Sequence, residues 1–223
     1  ILDFTIYKVL SVTALMKKIA IEIKNLTYSF GEYVALNDVS FDIHVGDIAA
    51  IIGPNGSGKT TLLKNITGLY TPNKGSIKLL GKNPKDVRIK IGYVPQKFEF
   101  DRKIPISVQE FMSLERCGNA EHSHANITKV LKDVGLKKIN NQKLGTLSGG
   151  QFQRVMIARA LLHKKEILIF DEPSTGIDIK GEETIYDLIV AINKKYGTTC
   201  LIVSHELNVV SKYAKHVICL NKK

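Results

Sequence analysis

The sequence predicts an α/β protein, in which a parallel sheet is flanked by helices and a mostly helical segment is inserted between two strands. Three observations predict this fold class. Strand-like and helix-like runs alternate along the chain, a glycine-rich loop joins a buried strand to a helix, and helical spacing of apolar residues prevails over 108–163. Such alternation is typical of parallel sheets, because parallel neighbours need a long crossover connection.

The first half of the chain contains most of the predicted β structure. Strand patterns lie, in chain order, at Ala20–Leu26, Val39–Ile43, Asp47–Ile52, Ser76–Leu80 and Ile89–Val94. The run Asp47–Ile52 is almost entirely apolar, which indicates a strand buried on both faces. The pattern changes to that of a helix after Gly58.

The second half begins with the helical segment. Its apolar periodicity breaks near 117–125 and 140–146, and Phe152–His163 contains neither proline nor glycine, which favours a helix there. The β pattern then resumes. Strands are predicted at Glu166–Phe170, Thr198–Val203 and Val217–Leu220, and a helix at Gly181–Tyr196.

The composition is that of an ordinary globular chain. Among 223 residues, 44% are hydrophobic and 24% charged, which excludes disordered, collagen-like and disulfide-scaffold classes. Cys117, Cys200 and Cys219 are odd in number and widely spaced, so a reducing compartment is the simplest interpretation. The longest apolar run, 1–16, is interrupted by charges and is too short to span a bilayer.

The first fifteen residues are interpreted as a non-native or mis-assigned N-terminal extension. Position 1 is not methionine, whereas Met16 stands directly before two lysines and the first clear strand pattern. We therefore expect one domain over 16–223.

The charge balance points to anionic partners. With 32 basic and 21 acidic side chains the formal net charge is +11, which suits nucleotides, nucleic acid or an anionic membrane face. Scattered lysine pairs such as Lys137-Lys138 are equally typical of a solvated surface, so the charge alone does not choose between these interpretations.

A phosphate-binding loop follows the buried strand. The pattern G-x-x-x-x-G-K-[ST] is matched by Gly53, Pro54, Asn55, Gly56, Ser57, Gly58, Lys59 and Thr60, with Thr61 next in the helix. The backbone N–H groups of such a loop and the helix dipole both favour a phosphate chain. We expect Lys59 to contact the β- and γ-phosphates and the Thr60 hydroxyl to bind Mg²⁺.

A second apolar strand ends in two carboxylates. Asp171 and Glu172 follow Ile167–Phe170, and in a parallel sheet they are expected beside the phosphate loop, because ligands bind where the strands end. Asp171 is the natural partner of Mg²⁺, and Glu172 could polarise a water for attack on the γ-phosphate.

A second anion-binding helix start is predicted at Ser148, Gly149, Gly150 and Gln151. The alternative is a serine N-cap with glycines that allow a sharp entry into the helix. Two sites suited to a γ-phosphate in one chain suggest a head-to-tail dimer, in which a second copy completes each site.

These motifs resemble the ATP-binding cassette (ABC) ATPases, over Ile19 to Lys223. Seven ordered motifs carry the resemblance: Phe30 before Gly31, the Walker A loop 53–60, Gln96 of the Q-loop, the signature 147–151, the Walker B strand 167–172, Asp178 of the D-loop and His205 of the switch motif. The resemblance implies catalytic roles for Glu172, His205 and Lys59.

The remaining roles also follow from the resemblance. Gln96 would bind Mg²⁺ with Thr60 and Asp171 and would sense the membrane partner. Phe30 would stack on adenine, with Tyr28 as a competing stacker. The signature residues and Asp178 would contact ATP in trans, across the dimer.

The family implies a P-loop NTPase (RecA-like) core with an N-terminal antiparallel β subdomain and an inserted α-helical signature subdomain. The core and β subdomain would comprise 16–96 and 166–223, and the helical subdomain 97–165. Expected ligands are ATP and Mg²⁺. Expected partners are a second copy, integral membrane permease subunits and, indirectly, a periplasmic metal-binding protein, with no nucleic acid.

Within the family, the chain looks like the separate ATPase subunit of a bacterial importer at the cytoplasmic face of the inner membrane. Segments 88–97 and 104–108, the turn 71–75 and the segments 176–178 and 186–189 resemble those of bacterial zinc-uptake ATPases. The alternatives are the ATPase of a manganese, iron or other ABC transporter, or a soluble ABC ATPase acting on nucleic acid. His122 and His124 suggest a metal sensor, but they lack the further ligands of a closed zinc site, so a solvated loop is preferred.

Overall fold

A computed structural model describes residues 18–115, 124–175, 179–205 and 210–221. The strands are β1 (Ile19–Phe30), β2 (Tyr33–His44), β3 (Ile48–Ile52), β4 (Lys74–Leu79), β5 (Ile91–Val94), β6 (Ile167–Asp171), β7 (Thr199–Ser204) and β8 (His216–Cys219). The α-helices are α1 (Lys59–Ile66), α2 (Val108–Ser113), α3 (His124–Asp133), α4 (Gly149–Leu161) and α5 (Ile179–Tyr196). The predicted N-terminal extension, 1–15, lies outside the described residues.

The strands form two sheets, which confirms the predicted α/β class. One is antiparallel, in the order β2-β1-β4, and the other is parallel, in the order β5-β6-β7-β3-β8. Helices α2, α3 and α4 lie between β5 and β6 in the chain, where the helical insertion was predicted. Within the described ranges, no helix combines the length and the apolar character needed to cross a membrane.

The first two strands are longer than their sequence patterns predict. β1 and β2 pair over 12 residues each and meet at Phe30–Tyr33. The pairing register shifts between Ile23 and Leu26, where Asn25 has φ 49. This bulge breaks the period-2 alternation, so the pattern stops short of the strand.

The strand ending in Asp171 is not the direct neighbour of β3. β7 lies between them and pairs with both, with Ile52 opposite Ser204 on one side and Asp171 opposite Val203 on the other. One strand, β7, therefore separates the strand of the two carboxylates from the strand that precedes the phosphate loop. Since all five strands are parallel, their carboxyl ends still share one edge.

The parallel sheet separates two hydrophobic cores. Leu168 and Phe170 of β6 lie in the core that contains the helices α2 to α5. Ile167 and Ile169 lie in the other core, with α1 and the antiparallel sheet. All residues of β3, β6 and β7 are buried, as expected for parallel strands covered on both faces.

Two local differences from the sequence patterns have identifiable causes. A 3-10 helix occupies Pro84–Lys90, so β5 begins at Ile91 rather than 89; Pro84 stands at the helix start, where its missing N–H costs nothing. Helix α4 begins at Gly149, within the helix start predicted at 148–151, whereas the run without proline or glycine begins only at Phe152; the Ser148 side chain caps the helix and both glycines lie in its first turn.

Gly92 of β5 lets α4 approach the sheet. A β-carbon there would stand 2.4 Å from the carbonyl oxygen of Ala160 and 2.6 Å from the Leu168 side chain. Both distances are too short for any β-carbon, so this contact requires glycine.

Candidate functional site

The carboxyl edge of the parallel sheet gathers three of the predicted motifs. Gly53 follows β3, Glu172 follows β6 and His205 follows β7. Because β6, β7 and β3 are consecutive neighbours in the sheet, these residues lie along one edge.

The phosphate loop adopts a backbone that only glycine takes easily. Gly56 and Gly58 have φ 76 and 95, in the left-handed region. A β-carbon at Gly58 would also stand 2.7 Å from the carbonyl oxygen of Ala35. The Lys59 ammonium donates to the carbonyl oxygens of Gly53 (2.7 Å) and Pro54 (3.0 Å), which folds the side chain over the loop.

The donors of this loop fit a nucleotide phosphate chain. The Ser57 hydroxyl is buried and, within the described residues, has no hydrogen-bond partner, although a buried hydroxyl normally has one. Beside it lie the buried Lys59 ammonium and the exposed Thr60 side chain, with Thr61 half-buried next to it. Hydroxyl, carboxylate and amide oxygens at this edge are also the hard ligands that Mg²⁺ prefers.

Asp171 is held by a tyrosine from the neighbouring strand. The Tyr93 hydroxyl donates to its Oδ2 over 2.9 Å. Burial raises the pKa of the Asp171 carboxyl above its ordinary value, and the Tyr93 hydrogen bond opposes that rise. Burial and the Asp171 charge in turn raise the pKa of Tyr93, so the phenol stays a proton donor.

The Glu172 carboxylate lies at the centre of a cluster of polar side chains at this edge. Its Oε2 accepts from Gln96 Nε2 (2.5 Å) and from the Thr175 hydroxyl (3.3 Å), and lies 3.6 Å from His205 Nδ1. The structure therefore brings together Gln96, Glu172 and His205, which sequence analysis predicted separately. Sequence analysis assigned no role to Thr175.

Two further side chains that contact predicted site residues were missed from the sequence. Tyr93 stands beside the predicted Gln96, but its contact depends on the pairing of β5 with β6, which places Tyr93 opposite Ile169. Tyr70 stacks on Tyr28 with ring centroids 5.1 Å apart and meets Phe30 edge-on at 5.9 Å. Their only sequence signal is aromatic character.

The aromatic cluster leaves Phe30 the most open ring. Tyr28 is half-buried between its neighbours, whereas Phe30 is 47% exposed. An exposed ring can stack on a base, so the geometry favours Phe30 over Tyr28, as the sequence did.

The signature residues form a capping box at the start of α4. The Ser148 hydroxyl accepts from the Gln151 backbone N–H (3.2 Å), and the Gln151 side chain accepts from the Ser148 N–H (3.0 Å). A β-carbon at Gly149 or Gly150 would contact nothing within 4 Å, so both glycines border open space. Asp178 lies outside the described residues.

Comparison with known proteins shows the family that these motifs resemble. The model of the family described as "ABC transporter" matches residues 36–175. A curated relative from Rickettsia bellii, named zinc import ATP-binding protein ZnuC, is 40% identical over 206 residues, covering 92% of this chain and 84% of the relative.

Solved structures show the same fold. CbiO1 from Clostridium perfringens, described as part of the ABC transporter complex cbiONQ, has a TM-score of 0.82 and 28% identity, with 92% of this chain and 85% of that chain covered. MJ0796, a bacterial ABC transporter cassette solved as a dimer, has a TM-score of 0.76 and 32% identity, with coverage of 90% and 94%.

Proposed function

The chain belongs to the ABC transporter family of ATPases, and from that premise we propose that it drives import of a divalent metal, zinc foremost, through a membrane permease. The proposal that zinc is the transported metal rests on the 40% identity, over nine-tenths of the chain, to a zinc import ATP-binding protein. The observation that supports hydrolysis is the convergence of the phosphate loop, Asp171 and Glu172 at one sheet edge.

We propose that ATP binds with its phosphates in the loop 53–60 and its adenine on Phe30. Lys59 would leave the loop carbonyls and donate to the β- and γ-phosphates, while the loop N–H groups bind the same oxygens. Thr60, Asp171 and Gln96 would hold Mg²⁺, which when bound neutralises charge on the β- and γ-phosphates. Tyr93 would keep the Asp171 carboxylate oriented and ionised.

In this proposal, Glu172 is the general base. Its carboxylate would accept a proton from the attacking water, and Gln96 and Thr175 would hold the carboxylate in place. His205, 3.6 Å from the same oxygen, would contact the γ-phosphate and help to position that water.

The second half of each nucleotide site would come from another copy. The open surface at Gly149 and Gly150 and the N-terminus of the 13-residue helix α4 suit a γ-phosphate presented from outside the chain. The dimer of the MJ0796 cassette supports a dimeric arrangement. Ser148, Gly149, Gly150, Gln151 and Asp178 would then act in trans.

Exposed apolar side chains that follow Gln96 in the chain suit a permease. Phe98, Ile104 and Leu114 are 37%, 50% and 62% exposed. Phe98 packs edge-on against Phe111 of α2 with centroids 5.5 Å apart, so α2 holds the Phe98 ring in place. We propose that it receives a cytoplasmic helix of the permease and that the net charge of +11 suits the anionic inner face of the plasma membrane.

Metal-limited growth tests the cargo. A strain lacking the gene is grown with a chelator while zinc, manganese or iron is added back singly, and wild-type and Lys59→Ala copies are returned in parallel. We expect zinc alone to restore growth of the deletion strain, and the wild-type copy, unlike Lys59→Ala, to remove the need for added zinc. Rescue by manganese or iron would reassign the cargo.

A further inference from the structure

A histidine and an aspartate flank the tight turn between β2 and β3, at the sheet edge opposite the nucleotide motifs. The Asp47 N–H donates to the His44 carbonyl oxygen over 3.1 Å, and Gly46 between them has φ 79. The turn is held from outside: Gly46 donates to the Thr199 hydroxyl (3.0 Å), and the Asn193 side chain donates to the Gly46 carbonyl (2.9 Å). Both side chains therefore stand on a fixed backbone.

A second histidine reaches this turn from β8. His216 begins that strand and lies opposite Ala49 in the parallel pairing with β3. Its Nε2 is 3.2 Å from Asp47 Oδ2, and His44 Nδ1 is 3.9 Å from the same oxygen. One donor atom from each of the three side chains lies within 4.8 Å of the other two.

We propose that His44, Asp47 and His216 form a binding site for a zinc-class divalent cation. Two imidazoles and one carboxylate are a donor set suited to zinc and neighbouring transition metals, whereas Mg²⁺ prefers oxygen ligands alone. In a tetrahedral zinc site the donor atoms stand about 3.3 Å apart, given bonds of about 2.0 Å. The donor atoms of His44, Asp47 and His216 lie up to 4.8 Å apart, and rotation of the partly exposed imidazole side chains can bring them to the tetrahedral spacing.

The burial of the three side chains favours reversible binding. The Asp47 side chain is 4% exposed, whereas those of His44 and His216 are 36% and 24% exposed, so an ion reaches the carboxylate between the two rings. Three protein ligands leave a fourth position to water, as in exchangeable rather than closed structural sites.

The Lys215 ammonium would compete with a bound cation for the Asp47 carboxylate. This ammonium lies 3.2 and 3.1 Å from the two Asp47 oxygens, and the Lys215 side chain is 41% exposed. A bound cation would displace this ammonium toward solvent. Removing the Lys215 charge should therefore strengthen metal binding, whereas a merely structural salt bridge predicts only lost stability.

Zinc binding at His44, Asp47 and His216 would not depend on the proposed transport. The cluster lies at the amino end of β3 and the phosphate loop at its carboxyl end, so the two sites share no ligand. A chain that imports nothing would still bind zinc here.

Equilibrium titration of the purified full-length chain with Zn²⁺ against a chromophoric chelator, without nucleotide, tests the proposal. We expect one competitive site in the wild type, at least tenfold weaker binding in His216→Gln and Asp47→Asn, and tighter binding in Lys215→Met. Zn²⁺ should also raise the melting temperature of the wild type but not that of His216→Gln, which keeps the test valid if Asp47→Asn folds poorly.

Two control variants separate this site from other donors. His122→Gln with His124→Gln removes the histidine pair that the sequence suggested as a metal sensor, and Cys219→Ser removes an exposed thiol. Both should bind Zn²⁺ as the wild type does. Unchanged binding in His216→Gln, or loss of binding in either control, would overturn the proposal.

Discussion

Glu172 holds a backbone conformation that side chains rarely adopt. Its φ is 46, directly after the buried strand β6, and its N–H donates to the Val203 carbonyl oxygen over 2.9 Å. Left-handed backbone at a non-glycine residue is strained, and such residues cluster at functional sites. The turn directs the carboxylate toward Gln96, Thr175 and His205 rather than along the strand.

Changing Glu172→Gln should separate nucleotide binding from hydrolysis. Glutamine keeps the shape of the side chain but cannot accept the proton of the attacking water. We expect phosphate release to fall by about 100-fold or more, while ATP binding persists and an ATP-bound dimer accumulates. Phosphate release and size-exclusion chromatography with ATP measure the two effects.

Glu166→Gln is the matched control, because Glu166 precedes the same strand at its other end. It should leave turnover unchanged. Wild-type turnover in Glu172→Gln would refute the general-base role.

Tyr93→Phe should shift the pH dependence of hydrolysis. The phenol stabilises the charged form of Asp171, so its removal raises the pKa of that carboxyl further above its ordinary value. Since we propose that the ionised Asp171 carboxylate holds Mg²⁺, the acid limb of the kcat/KM profile should move to higher pH. Steady-state ATPase assays across pH measure this shift.

Tyr196→Phe provides the comparison, because Tyr196 also donates to an aspartate, Asp133, but belongs to α5 and not to the nucleotide edge. Its profile should match the wild type. An acid limb that stays in place or moves to lower pH in Tyr93→Phe would contradict the assigned contact.

Site residues could be predicted from the sequence where they belong to a local motif. They could not be predicted where their role depends on contacts between segments distant in the chain. Gln96, Glu172 and His205 each belong to a local pattern, and the structure places them around one oxygen. Tyr93 and Tyr70 act through neighbours distant in the chain, so no local pattern marks them.

Helices α2 and α4 begin with the same device. Ser107 caps α2 as Ser148 caps α4, and in each case the third helical residue, Glu110 or Gln151, bonds back to the cap. The two starts are therefore locally equivalent. They differ because only α4 has two glycines, Gly149 and Gly150, in its first turn, and both border open space.

Ser148→Ala and Ser107→Ala should have the same effect on stability and different effects on activity. Each removes one N-cap and should lower the free energy of unfolding by about 1 kcal/mol. Only Ser148→Ala should reduce ATPase turnover, since only that cap is proposed to meet the γ-phosphate of a second copy. Denaturant unfolding and phosphate release measure the two quantities, and equal turnover in both variants would leave Ser148 as a cap alone.

Elements were predictable where burial imposes a regular pattern. β3, β6 and β7 are covered on both faces, so their apolar runs coincide with the strands to within one or two residues. The antiparallel strands are partly exposed and interrupted by a bulge, so their patterns stop early. Sheet order depends on which strands meet in space, which is why the position of β7 between β6 and β3 was not foreseen.

At the scale of the whole molecule, the proposed dimer makes a complementation test available. Lys59→Ala damages the phosphate loop and Ser148→Ala damages the signature, so each variant alone should be inactive or weak. In a mixed dimer, one site would carry both defects and the other neither. An equal mixture should recover about a quarter of wild-type turnover if the sites act independently.

The control is an equal mixture of Lys59→Ala with Glu172→Gln. Both changes affect the same half of the site, so every mixed dimer has two damaged sites and turnover should stay low. Failure of the first mixture to exceed its components would argue against sites shared between copies.

The parallel sheet, with a different core on each face, has a consequence for how this sequence can diverge. Leu168 and Phe170 contact the helical core, while their chain neighbours Ile167 and Ile169 contact the core of α1 and the antiparallel sheet. Substitutions at alternate positions of one strand should therefore be compensated in different parts of the chain. Adjacent columns in an alignment of relatives should covary with separate sets of partners.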